Sequence, residues 1–154
     1  MVDIGIKSSS RRIACAEATV FLPDELWKCF ESTNANDWIT KKGPVISTAI
    51  VAGTMGVKKT DELIPFCHPL LIESIKFDTQ LDPKLKKLIV RCTVAIQGKT
   101  GVEMEALTGV STFCLTFYDM CKSVSHGIVV ENIRLVSKTG GKSGISPSIN
   151  TRAN

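Results

Sequence analysis

The sequence predicts an α+β fold, a single antiparallel sheet with helices on one face. Three observations lead there. Four stretches alternate side chains with period two, the signature of strands. One long stretch, residues 100–122, instead repeats its apolar positions at three and four, the signature of a helix. The chain has 154 residues, 44% hydrophobic and 22% charged, which suits one domain with a real core and excludes a disordered chain.

Arg11 and Arg12 precede the first period-two run, residues 13–22. Ile13, Cys15 and Phe21 alternate with Ala14, Ala16 and Val20, so both faces are fairly apolar and the strand is expected to be covered. Pro23 and Asp24 end it and start a short helix, Glu25 to about Glu31. The Asn, Asp and Gly content of STNANDWITKKGP marks a loop. Pro44 then fits the first turn of a helix from Val45 to Lys58, whose Ser47, Ala49, Ala52, Gly53 and Gly56 would let another backbone pack closely.

Pro65 and Pro69 bracket Phe66, Cys67 and His68, a rigid way to present a thiol and an imidazole to a ligand. Neighbours on an extended chain point apart, so Cys67 and His68 do not make a catalytic dyad with each other. Residues 71–80 and 87–97 read as a hairpin turned at LDPKLK. Leu107, Val110, Cys114, Phe117 and Cys121 form the apolar stripe of the long helix, with Thr100 and Glu103 as its capping box and Gly127 as its left-handed close. A last strand spans about Ile128 to Val136, with Ile133 and Leu135 on one face. The resulting order, βαββαβ, is that of a ferredoxin-like α+β sandwich. The open sheet face reads as too apolar to stay wet, and a homo-oligomer is its simplest cover.

Residues 1–138 form the expected catalytic domain, and residues 139–154 a flexible Gly/Ser-rich tail. No apolar run reaches membrane-spanning length, and MVDIGIK does not read as a signal peptide. None of the six cysteines forms a CxxC pair, and most sit in apolar periodic stretches, which points to core thiols in a reducing compartment. The net charge of +4, without a basic patch interleaved with aromatics, fits an anionic small molecule and argues against nucleic acid.

Chemistry gathers at both ends of the long helix. Glu103 and Glu105 begin it, pointing to nearly opposite sides, and Asp119 and Lys122 share a face at its end. Asp119 lies roughly 21 Å from Glu105 at a rise of about 1.5 Å per residue, so one compact site in one subunit cannot easily use both ends. Either the ligand is long or a second subunit closes the site. Lys42, Lys138 and Lys142 join these acids, and lysines beside carboxylates suit a polyphosphorylated substrate and a proton-transfer step. A lysine near an acid and an apolar wall can have its pKa lowered for that purpose. GGKSG fails the P-loop count, because Val136 stands where glycine is required, though its backbone can still meet phosphate oxygens.

KKGPV, ELIPFCHPL, GKTGVEMEAL, YDMCKSV and KTGGKSG together resemble the MoaC family, the cyclic pyranopterin monophosphate synthases, in the expected order over nearly the whole chain. The resemblance implies conversion of 3′,8-cyclo-7,8-dihydroguanosine triphosphate to cyclic pyranopterin monophosphate and pyrophosphate in molybdenum cofactor biosynthesis. It implies a lyase working as a hexamer, a trimer of dimers with sites at subunit interfaces, in the cytoplasm or, for a eukaryotic protein, the mitochondrial matrix. By its motifs Asp119, Lys122 and Lys42 are the expected catalytic residues. Phe66, Cys67, His68, Met104 and Glu105, with Glu103 beside them, are the expected substrate contacts. Lys7, Arg12 and Lys138 match basic residues that would hold the triphosphate. No cofactor or dedicated metal site is expected; Mg²⁺ could accompany the triphosphate. The family usually has an acid where this chain has Pro44, and often Asp-Lys where it has Ser125 and His126. A non-catalytic phosphate-binding module on the same scaffold is the alternative, and Pro44 is its support.

Overall fold

The computed structural model describes residues 1–31 and 37–141. Lys142 and the rest of GGKSG after Gly141 lie outside the described residues. The chain runs β1 (Ser10–Phe21), α1 (Asp24–Glu31), β2 (Ile39–Thr40), β3 (Gly43–Pro44), α2 (Val45–Lys58), α3 (Thr60–Leu63), β4 (Ser74–Asp82), β5 (Lys87–Gly98), α4 (Glu103–Cys121) and β6 (Val129–Thr139). The main sheet has the order β4-β5-β1-β6, with every neighbouring pair antiparallel. That order with this connectivity is the ferredoxin-like arrangement expected. Two elements extend past the sequence expectation: β1 begins at Ser10, and β6 continues through Ser137, Lys138 and Thr139, the last of which was assigned to the tail.

Strand alternation explains which face is dry. Ala14, Ala16, Ala18 and Val20 of β1 and Leu88, Val90, Cys92, Val94 and Ile96 of β5 are buried beneath the helices. They meet Val110, Phe113, Cys114, Phe117 and Cys121 of α4. Leu107 of the expected stripe is only partly buried at its margin.

The opposite sheet face corrects the sequence reading. It does carry Ile13, Cys15 and Ile89, but its centre is ionic. Glu17 is 6% exposed, and its two carboxylate oxygens accept from Arg91 Nε at 2.7 Å and Arg134 Nη2 at 2.9 Å. Burial alone would raise the Glu17 pKa, but the two guanidinium groups outweigh it and hold the carboxyl below its ordinary value. A glutamate inside an apolar run gave no hint of these partners.

The small residues of α2 do serve close packing against α4. A Cβ on Gly53 would lie 3.0 Å from the Gly109 carbonyl oxygen of α4, and from the other side a Cβ on Gly109 would lie 2.7 Å from Val57 Cγ2 and 2.9 Å from Cys92 Sγ, both buried. Gly109→Val is therefore expected to force α2 and α4 apart and cost about 3 kcal/mol. Thermal melts should show Tm lower by roughly 6–12 °C for a chain of this size.

The ends of α4 differ from expectation. Val102, not Thr100, is the N-cap, and no side chain caps the helix start. Glu103 is instead drawn to Lys138. Gly127 is absent from the left-handed glycines, which are Gly43, Gly140 and Gly141, and α4 closes through Lys122 in right-handed geometry.

Candidate active site

At the C-terminal end of α4, aromatic packing places one lysine over an acid. Phe30 of α1 stacks on Phe117 with ring centroids 6.0 Å apart and meets Trp38 at 4.9 Å. Trp38 in turn accepts a hydrogen bond from Val45 N–H at 2.8 Å, so the β2–β3 hairpin is anchored above the end of α4. The hairpin turns at Gly43, whose φ of 110° favours glycine. Lys42, just before it, reaches α4: its Nζ donates to Asp119 Oδ2 at 2.7 Å and to the Asp119 backbone carbonyl at 2.7 Å. Lys122 Nζ contacts Asp119 Oδ1 at 2.8 Å. One carboxylate thus holds two ammonium groups at a helix C-terminus, where positive charge is favoured.

Hydrogen bonds from Lys122 and then Lys42 hold the Asp119 carboxyl down at about 2. The hydrogen bond to Asp119 moves Lys122 the other way, above its ordinary value. This corrects the expectation of a lowered lysine pKa: no apolar wall presses on Lys122, and its charged form is the favoured one. The triad is about half exposed, open on one side to a ligand.

The N-terminal end of α4 carries a separate cavity of roughly 830 Å³. Strand register builds it. The start of β1 pairs with the end of β5, Ser10 opposite Gly98, and with the end of β6, Ala14 opposite Lys138. Three strand ends therefore meet where α4 begins. Lys7, Arg12, Lys99, Glu103 and Lys138 all line the cavity. Lys138 Nζ lies 2.8 Å from Glu103 Oε1. Burial would raise the Glu103 pKa, but Lys138 overcomes it and keeps the carboxyl lowered.

Phe66, Cys67 and His68 follow α3 on the same end of the molecule. Phe66 is 76% exposed, and His68 Nε2 lies 2.9 Å from the Val2 carbonyl oxygen. Met104, in the first turn of α4, is exposed. Glu105 points away from Glu103 into the protein and is 4% exposed, with its charge felt at Cys67. The sequence reading that the two glutamates diverge is borne out.

The sequence pattern of the MoaC family matches residues 1–141. The chain belongs to the MoaC family. The cyclic pyranopterin monophosphate synthase of Methylobacterium nodulans is 46% identical over 145 residues, covering 94% of this chain and 88% of that protein. The protein of the same name from Clostridium botulinum is 47% identical over 144 residues, covering 94% and 87%. The molybdenum cofactor biosynthesis bifunctional protein of Synechocystis is 48% identical over 149 residues, which are 95% of this chain and 42% of that one.

Within this MoaC chain, the motif residues fall into two groups. Asp119, Lys122 and Lys42 come together; Lys7, Arg12, Glu103 and Lys138 come together around the cavity. The groups sit at opposite ends of α4, about 24 Å apart by helix rise from Glu103 to Asp119. Two residues of the neighbourhood escaped the sequence reading. One is Lys99, which follows β5 and lines the cavity. The other is Asp37, which supplies what Pro44 cannot. Asp37 Oδ1 accepts from Ile46 N–H at 2.7 Å and Oδ2 from Ser47 N–H at 2.9 Å, capping α2 from outside the helix. Pro44 is the N-cap residue rather than part of the first turn, with extended geometry and no cap of its own.

Glu105 supplies a pH-dependent prediction. Burial raises its carboxyl pKa to about 7, against an ordinary value of 4.5. The folded state therefore holds a proton that the unfolded state has released, so stability falls as pH rises from about 4.5 to about 7 and is level above. Glu105→Gln is expected to raise Tm at pH 8 by an amount corresponding to about 1 kcal/mol and to leave it unchanged at pH 4.

Proposed function

We propose that this chain is a cyclic pyranopterin monophosphate synthase, a lyase that converts 3′,8-cyclo-7,8-dihydroguanosine triphosphate to cyclic pyranopterin monophosphate and pyrophosphate. Membership of the MoaC family and the names of its relatives support the reading. The observation that carries it is the Lys42–Asp119–Lys122 triad, together with a cation-lined cavity of matching chemistry for a triphosphate.

Closing a cyclic phosphate joins a substrate hydroxyl oxygen to the α-phosphorus and breaks the bridge to the β-phosphate. The hydroxyl proton needs an acceptor, and the departing pyrophosphate needs positive charge. Asp119, ionised at neutral pH, keeps both ammonium groups aimed at one point and offers its carboxylate as the acceptor for the hydroxyl proton. Lys122, favoured in its charged form, is suited to stabilise developing negative charge and to donate a proton. Lys42 comes from another element and completes the pair. Lys7, Arg12 and Lys138 would hold the phosphates, with Phe66, His68 and Met104 against the rest of the substrate. Magnesium would arrive on the phosphate oxygens. Among the described residues, no group of three or more His, Cys, Asp or Glu is placed to hold a metal.

The two ends of α4 are too far apart for one substrate within one copy. We therefore propose that a second copy brings its cavity against the first copy's triad, within a hexamer built as a trimer of dimers. Val51, Met55 and Leu115 on the outer helical layer are exposed, which suits subunit contact. No helix among the described residues is long and apolar enough to cross a membrane. The cytoplasm, or the mitochondrial matrix in a eukaryote, is the compartment this reading implies.

The test is pyrophosphate release from the true substrate, followed alongside the pterin product. Stoichiometric appearance of both supports a synthase. Tight binding without either product would leave the phosphate-binding module. Pro44 no longer favours that alternative, because Asp37 caps α2 in its place.

A further inference from the structure

Lys99 stands in the GKTGVEMEAL stretch and lines the cavity, but it is the one cation of that lining with no role assigned above. Its Nζ donates to the Gly5 carbonyl oxygen at 2.9 Å. The same N-terminal segment lays a second carbonyl, that of Val2, against His68 Nε2 at 2.9 Å. A carbonyl only accepts, so the imidazole carries its proton on Nε2 in this contact. The segment is shaped by its own turn: Asp3 Oδ1 accepts from Gly5 N–H at 2.7 Å, and Ile4 O accepts from Lys7 N–H at 3.2 Å. Lys7, on the far side of that turn, lines the cavity itself. Lys99, which lines the anion-suited cavity, and His68, outside that lining, are thus both satisfied by neutral backbone oxygens of one short segment.

Such contacts are easily exchanged. A phosphate oxygen is charged, and a charge-assisted hydrogen bond is roughly twice as strong as one to a neutral acceptor. Lys138 is already committed to Glu103, which lowers its value to an incoming anion. Lys99 faces no such competitor at its Gly5 contact.

We propose that Lys99 is a phosphate-binding residue of this site, its ammonium exchanging the Gly5 carbonyl for a phosphate oxygen of the substrate. The proposal rests on the reading that the cavity takes the triphosphate, and it adds a residue to that role.

Calorimetric titration of the full chain with inorganic tripolyphosphate tests it. Lys99→Met is expected to weaken binding about tenfold, and Lys99→Arg to stay within threefold of wild type. Lys99→Gln keeps a donor for Gly5 without the charge, so it should lose affinity as Lys99→Met does. Lys76→Met, on the exposed face of β4, removes the same charge elsewhere and should leave affinity unchanged. Wild-type affinity in Lys99→Gln, equal losses in Lys99→Met and Lys76→Met, or no binding by the wild type would each overturn the proposal. Turnover of the cyclic GTP derivative by wild type is measured separately. If it persists while Lys99→Gln binds tripolyphosphate normally, the Lys99 assignment alone fails.

Discussion

Asp119→Asn is expected to lower turnover of the cyclic GTP derivative roughly a thousandfold, the scale of a lost acid–base group, while thermal melts stay close to wild type. Asparagine keeps the shape and one acceptor but not the charge that holds two ammonium groups. Lys42 and Lys122 would then repel each other and spread apart, losing the common point at which they are aimed. Stability should change little because the triad is solvent-exposed, where ion pairs are worth little. The carboxyl titrates at about 2, below its ordinary 3.8, so its stabilising contribution is present above pH 3.8 and fades only as pH falls towards 2. The mutant's defect should therefore be the same at pH 6 and pH 8. A deficit that disappears at either pH would mean the carboxylate acts through another titrating group.

Arg12→Ala should act on binding instead. The expected result is a KM about thirtyfold higher with kcat within threefold, since a guanidinium holding phosphates that stay in place binds ground state and transition state alike. Arg12 sits at the cavity and not at the triad, which is why the two variants should separate in steady-state kinetics. A large fall in kcat with unchanged KM would place Arg12 with the reacting atoms instead of the triphosphate.

Most of the element map was legible in the sequence because the periodicities were clean. The helix Val45–Lys58 and the hairpin of β4 and β5 needed no tertiary information, for one side of each strand is core and its alternation shows. Errors fell where distant residues decide local structure. Thr100 has the right spacing for a capping box, but Lys138 takes Glu103 away from that role. Asp37 caps a helix it does not belong to, which no local pattern can show. Glu17 drew no reading from the sequence, and only the pairing of β1 with both β5 and β6 brings Arg91 and Arg134 to it. Thr139 read as tail because glycines follow it, yet β1 offers it a pairing edge at Ile13. The motifs named the candidate site residues, and the length of α4 already showed that they could not all meet in one copy.

That separation makes one mixing experiment the most direct test. Asp119→Asn damages one end of α4 and Arg12→Ala with His68→Ala the other. Two such impaired preparations, mixed after reversible dissociation and assayed with substrate well below the wild-type KM, should recover about a quarter of wild-type pyrophosphate release, because random pairing joins an intact triad to an intact cavity in that share of shared sites. A mixture that stays as inactive as its components would mean that each site is built within a single chain, contrary to the structure's two-ended arrangement.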